Sequence, residues 1–177
     1  MNINISELKS AIPSLRAGDN VNLSGYIYTA RDAAHKRFSE AIEKNQELPI
    51  DIDGAVIYYA GPTPAKPGMV IGSCGPTTSA RMDKHSPKLF DRGLCGVIGK
   101  GEVGSEVIDA IKRNGAIYFC AIGGAGALYC KCIESCEVIA YDDLGCESVK
   151  RLKVENLPVL VAIDTYGDSV FEHNAQK

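Results

Sequence analysis

The feature that most constrains this chain is a change of hydrophobic period that repeats along it. Short β-branched and aromatic runs alternate with stretches whose apolar residues recur every three or four positions, and Gly or Pro marks most of the joins. Residues 21–29 (VNLSGYIYT) read as a strand. Over residues 32–45 the period lengthens. Ala34, Phe38, Ala41 and Ile42 share one face, with Lys36, Arg37, Glu40 and Glu43 between them, which predicts an amphipathic helix with one buried stripe. Strand character returns at 54–60, 96–98, 116–122, 138–141, 149–154 and 159–163. Helices are expected at 5–13 with Ser6 as cap and Pro13 as stop, at 105–114 before Gly115, at 126–132, and from a Ser79 or Asp83 cap towards Phe90. This order of elements predicts an α/β fold: one domain over residues 1–177 with a mixed central sheet flanked by helices.

Composition excludes several function classes. The chain has 177 residues, enough for one core. Nineteen basic residues face twenty-two acidic ones, for a net charge of −3, and no run of Lys and Arg marks a basic face, so nucleic acid is not an expected partner. No apolar run approaches the length of a membrane span, and the opening MNINISELKS lacks the charged and apolar regions of a signal peptide. The expected setting is soluble and cytoplasmic. Seven cysteines, an odd number in such a chain, read as reduced thiols that pack rather than as a disulfide framework.

Three segments carry groups suited to a small anion. In TARDAAHKR, residues 29–37, Arg31 and Asp32 fall where a strand ends and a helix begins. Backbone donors and the positive helix end gather at such a place, and a guanidinium there can clamp a carboxylate through two parallel hydrogen bonds. Asp32 reads equally as a first-turn acid and Arg31 as a surface charge. His35, with no second ligand at metal spacing, reads as a packed or surface histidine. In GPTTSARMD, residues 75–83, a Gly-Pro turn presents Thr77, Thr78 and Ser79 in a row, with Arg81 four residues after Thr77. Hydroxyls beside a fixed guanidinium suit an oriented anion, and a capping loop is the plain alternative. In IGKG, residues 98–101, Lys100 sits between two glycines at a strand's end.

Two further motifs read as structural. GGAGAL at 123–128 has Tyr129 where a dinucleotide-binding loop needs its third glycine, so close packing explains the small residues better. Cys130-x-Cys132-x-x-x-Cys136 matches neither the paired C-x-x-C units of structural zinc nor a cluster spacing.

Together and in this order, these segments resemble the C-terminal domain of class I iron–sulfur fumarases and the matching β subunit of tartrate dehydratase. The resemblance runs from about Gly25 to about Phe171. It rests on RDAAH at 31–35, YYAGPTP at 58–64, GPTTSARMD at 75–83, IGKG at 98–101 and AIGGAGAL at 121–128. It implies a swivelling β/β/α domain and a hydro-lyase that is active only with a partner. Arg31, Arg81 and Lys100 would bind the dicarboxylate and Thr77 would be the catalytic hydroxyl. A four-iron–four-sulfur cluster would be held by a partner α subunit, with no metal on this chain. Fumarate hydration is the expected reaction, with L(+)-tartrate dehydration as the alternative. A non-catalytic metal- or anion-binding module is the reading from another class. A heterotetramer is the expected assembly, with a homodimer when the subunit is isolated. The residues do not name the group that activates Thr77; Lys100 or the partner could supply it.

Overall fold

The computed structural model describes residues 1–174; residues 175–177, part of the domain expected over 1–177, lie outside the described residues. In chain order the elements are β1 (Asn2–Asn4), α1 (Ile5–Ala11), β2 (Asn20–Thr29), α2 (Asp32–Glu43), β3 (Val56–Tyr58), α3 (Ser86–Phe90), β4 (Gly96–Gly99), α4 (Ser105–Asn114), β5 (Ile117–Cys120), α5 (Gly126–Tyr129), β6 (Ile133–Ala140), β7 (Val149–Ile163) and α6 (Val170–Asn174). The strands form one mixed sheet in the order β1-β2-β3-β4-β5-β7-β6, and β7 also pairs with β2. The circuit β2–β3–β4–β5–β7 therefore closes on itself. The pairs from β2 to β5 are parallel, and β7 runs antiparallel to both β2 and β5. The α/β class with a mixed sheet flanked by helices is the architecture the sequence predicts.

Period-two alternation sends neighbouring side chains of each strand into different cores. Val56, Tyr58, Ile117 and Phe119 enter one core, with Leu8, Ile12 and Leu15 from α1 and the turn after it. Ile57 and Tyr118 enter the other, where α2 contributes Ala34 and Phe38, α3 Leu89 and Phe90, and α4 Val107, Ala110 and Ile111. Both faces of β3 and β4 are covered, as parallel strands require. Phe38 is fully buried, which stabilises the docking of α2 by about 2–3 kcal/mol. Gly115 ends α4 in the left-handed conformation, as its position in the sequence predicts.

Several local expectations change. Asn4, not Ser6, caps α1: its side-chain oxygen accepts the Ser6 N–H at 3.0 Å. Pro13 does not end the chain's helical course; it opens a 3-10 turn at Ile12–Ser14. Neither Ser79 nor Asp83 caps α3. Ser79 begins a 3-10 turn, and Asp83 accepts the Gly104 N–H at 2.7 Å. The expected helix over 126–132 divides into α5 and a 3-10 turn at Cys130–Cys132. The two strands expected at 149–154 and 159–163 are one. Asn156 adopts positive φ in a bulge opposite Leu23 to Gly25 and donates its N–H to the Ser24 hydroxyl at 3.0 Å, so the strand continues through a Glu-Asn-Leu-Pro stretch that reads as a turn.

Candidate active site at the carboxyl edge of the parallel strands

Because β2 to β5 run parallel, their carboxyl ends lie along one edge of the sheet, where open α/β sheets place ligands. Arg31 follows β2 there, Lys100 follows β4, and the Gly123–Gly124 turn follows β5. GPTTSARMD follows no strand, yet the backbone carries it to the same edge. Ala60 bridges Pro76, the Thr77 N–H donates to the Tyr59 carbonyl at 2.7 Å, Thr78 bridges Lys100, and the Ser79 N–H donates to the Lys100 carbonyl at 2.9 Å. The three segments singled out in the sequence thus meet.

Arg31 and Arg81 share one carboxylate. Asp32, at the first turn of α2, takes Arg31 Nε at 3.3 Å on Oδ2 and Arg81 Nε at 2.8 Å on Oδ1. Glu147 holds Arg31 Nε a second time, at 2.8 Å. These carboxylates engage Nε of both arginines, so the terminal nitrogens are the donors left for a ligand. Burial alone would push the Asp32 carboxyl up; its own backbone N–H and the two guanidiniums outweigh that, and it is held below the usual carboxylate range. A hollow of about 390 Å³ beside this corner is walled by Asp32, Lys36, Arg81, Lys84, His85 and Glu147. A larger hollow of about 700 Å³, walled by residues 45–52 and Arg92, contains none of the expected site residues.

Thr77 and Lys100 are held differently. Thr77 is half-buried and Lys100 exposed. Among the described residues the Thr77 hydroxyl has no hydrogen-bond partner and the Lys100 ammonium no ion pair. Their backbones, in contrast, rest on a buried hydroxyl network. Ser79 Oγ accepts the Lys100 N–H at 3.1 Å and shares a 2.8 Å bond with the Tyr118 hydroxyl, which donates to the Gly101 carbonyl at 2.7 Å. Position 99 must be glycine: a Cβ there would lie 1.9 Å from Ser79 Oγ.

His35 is packed, one of the two readings the sequence left open. It lies fully buried under Arg31, with Nδ1 3.0 Å from the Arg31 carbonyl. That carbonyl only accepts, so Nδ1 carries the proton and Nε2 is left as a buried acceptor without a partner among the described residues. Burial holds its imidazole down at about 4. Of the glycines of GGAGAL only Gly126 serves close packing, since a Cβ there would lie 2.9 Å from the Gly75 backbone N; Gly124 instead supplies a positive φ with open space around it. All seven cysteines are free. Among the described residues no three His, Cys, Asp or Glu side chains come together as a metal site, so Cys130, Cys132 and Cys136 do not fit an iron–sulfur cluster. Sequence reading missed Glu147, which carries no motif, and the buried Tyr118, which reads as a plain strand residue.

The family model described as the fumarase C-terminus matches residues 1–174. The chain belongs to the fumarase C-terminus family. Within this family it is 36% identical over 175 residues to a Methanocaldococcus jannaschii protein provisionally named L(+)-tartrate dehydratase subunit beta, covering 96% of this chain and 90% of that one. It is 32% identical over 174 residues to the aerobic class I fumarate hydratase of Escherichia coli, covering 97% of this chain and 32% of that protein. It is 36% identical over 154 residues to the mitochondrial fumarate hydratase 1 of Leishmania major, covering 86% of this chain and 28% of that protein. The fumarase C-terminus chain thus spans nearly all of a named subunit and about a third of each fumarase.

Proposed function

We propose that this chain is the β subunit of a two-chain hydro-lyase that reversibly hydrates fumarate to malate. The observation that supports this reading most directly is the Arg31–Asp32–Arg81 corner beside the Thr77–Lys100 edge. A four-carbon dianion needs two cationic clamps in fixed geometry, and two guanidiniums oriented by one carboxylate supply them. In the direction of water loss, a base takes the proton next to one carboxylate while hydroxide leaves the neighbouring carbon. Negative charge then grows on that carboxylate, where cations held in place stabilise the transition state more than the substrate. Thr77 is assigned the proton transfer. Lys100, across the backbone bridge from Thr78, is the cation that favours its ionised hydroxyl.

The four-iron–four-sulfur group of the proposed reaction is assigned to a partner α subunit; among the described residues no three His, Cys, Asp or Glu side chains gather on this chain. The fumarase relatives agree with that division, since about two thirds of their length lies outside the matched part. The assembly proposed is a heterotetramer. Tartrate dehydration is the second reading, favoured by the near full-length match to a subunit named for that activity.

The test is anaerobic turnover by this chain co-expressed with the cluster-bearing chain, on fumarate, malate and L-tartrate side by side. Turnover that needs both chains supports the reading, and the preferred substrate decides between the two activities. No turnover on any of the three, with the complex formed and the cluster loaded, overturns it in favour of a binding module.

A further inference from the structure

Lys150 is an unusual lysine. It is the second residue of β7, between Thr29 of β2 and Val138 of β6, and is 9% exposed. Buried lysines ordinarily pair with a carboxylate, yet among the described residues Lys150 forms no ion pair. Its ammonium is enclosed by neutral oxygens instead. Nζ donates to Ser148 Oγ at 2.6 Å, and the carbonyls of Gly145, Cys146 and Ser148 lie at 3.0, 3.3 and 3.4 Å.

These oxygens converge because the backbone reverses at Gly145, whose φ of 59° and ψ of −115° break the 3-10 turn Asp142–Glu147. Two further bonds fix the same turn. Ser148 Oγ donates to the Gly145 carbonyl at 2.8 Å, and the Thr29 hydroxyl donates to the Ser148 carbonyl at 3.4 Å while accepting the Lys150 N–H at 3.2 Å. The turn is thereby tied to the strand end two residues before Arg31. Glu147 stands on this turn and holds Arg31 Nε at 2.8 Å. Gly61 completes the seat: a Cβ there would lie 3.0 Å from Arg31 Nη1 and 3.4 Å from the Cys146 carbonyl, so the Arg31 side chain packs closely against Gly61.

We infer that Lys150 is a positioning residue for Arg31: its ammonium gathers the carbonyls of the 145–148 turn and so fixes Glu147, which aims the guanidinium. A side chain that cannot donate leaves three carbonyls and a hydroxyl without their shared donor, beside a hollow of about 280 Å³, and the turn is no longer drawn together around one cation. Glu147 moves with it, and Arg31 loses one of the two carboxylates paired with its guanidinium. The effect on catalysis rests on the dehydratase reading; the effect on Arg31 does not.

Both are measured separately. In the chain alone, the Nε–H resonance of Arg31, assigned by its loss in Arg31→Lys, reports through its exchange with water how firmly the guanidinium is held between Asp32 and Glu147. Lys150→Met and Glu147→Ala are each expected to speed that exchange about tenfold, as the loss of a partly buried ion-pair partner implies, with the double variant no faster than Glu147→Ala. Ser148→Ala, which removes one acceptor and one tie of the turn, shifts it in the same direction and serves if Lys150→Met does not fold. In the two-chain enzyme, Lys150→Met is expected to raise KM for the dicarboxylate about tenfold with kcat changed far less, as for a lost ground-state contact. Wild-type exchange in both Lys150→Met and Ser148→Ala overturns the inference, as does a double variant whose effect is the sum of its parts. An inactive wild-type complex sinks the dehydratase reading, and the exchange measurement then still decides for or against Lys150.

Discussion

The two halves of the candidate site are held by opposite means. At the guanidinium corner, Arg31 and Arg81 are fixed through their side chains, by Asp32 and Glu147, and their charge is largely compensated. At the Thr77–Lys100 edge, among the described residues, neither side-chain end group has a hydrogen-bond or ion-pair partner and only the backbone is fixed, by Ser79 and Tyr118. A group that binds and orients gains from a pre-set geometry. A group that must carry a proton or meet growing charge works better without a resident counter-charge. The structure thus separates holding from reacting, and each half makes its own prediction.

The largest effect belongs to the free half. With the proposed partner present, Thr77→Ala lowers kcat by roughly a thousandfold with little change in KM, the range of a lost general base. A loss below about tenfold, outside that range, reassigns the hydroxyl to positioning. Steady-state kinetics on the two-chain enzyme reads this directly.

Next is an acid weakness under the anchored half. His35 takes its proton near pH 4 when folded, against an ordinary value of 6.5. The unfolded chain is therefore protonated first as pH falls. The contribution of neutral His35 is whole above about pH 6.5 and is lost between 6.5 and about 4, by roughly 3 kcal/mol. Urea unfolding at pH 7.5 and pH 4.5, compared with His35→Gln, measures it. The variant should show the smaller loss on acidification, and equal losses would break the assignment.

Asp32→Asn tests whether one carboxylate aligns both arginines. It is expected to raise KM about tenfold, with kcat falling less, because the neutral amide keeps one acceptor oxygen and sets an NH2 donor against the other guanidinium. If KM is unchanged, Glu147 and packing suffice for Arg31 and the corner is not shared in function. The smallest effect is Tyr118→Phe, which removes the hydroxyl that links Ser79 to Gly101. A loss of about 1 kcal/mol in urea unfolding is expected, with a modest fall in kcat because only the Lys100 backbone is loosened. A large rise in KM from this variant would mean that the two halves are not mechanically separate.

Motif and period made much of this legible. The helix at α2 follows from Ala34, Phe38 and Ala41 on one face, and its junction with β2 marks Arg31 and Asp32 as an anion-binding position. The hydroxyl run from Thr77 to Ser79 and the glycines around Lys100 are visible in the same way. Glu147 was not visible, because an isolated acid in a polar turn carries no local signal. Nor was Lys150, whose alternating, strand-like surroundings suggest an exposed lysine; only the pairing of β7 with both β2 and β6 buries it. The merging of two expected strands into β7 escaped notice because Asn-Leu-Pro reads as a turn locally, and a bulge is recognised only against its partner strand.

The alternation of strands and helices, the α/β class, and the three segments that carry cations and hydroxyls all follow from periods and turn chemistry within a few residues. The tertiary structure decided the closure of β7 onto β2, the delivery of a strandless loop to the carboxyl edge, and the choice of Asp32 and Glu147 as the acids that aim the arginines. Those are contacts between residues far apart in the chain. They exist only once the apolar faces of β3, β4 and β5 are buried on both sides and strand register brings the ends of the sheet together.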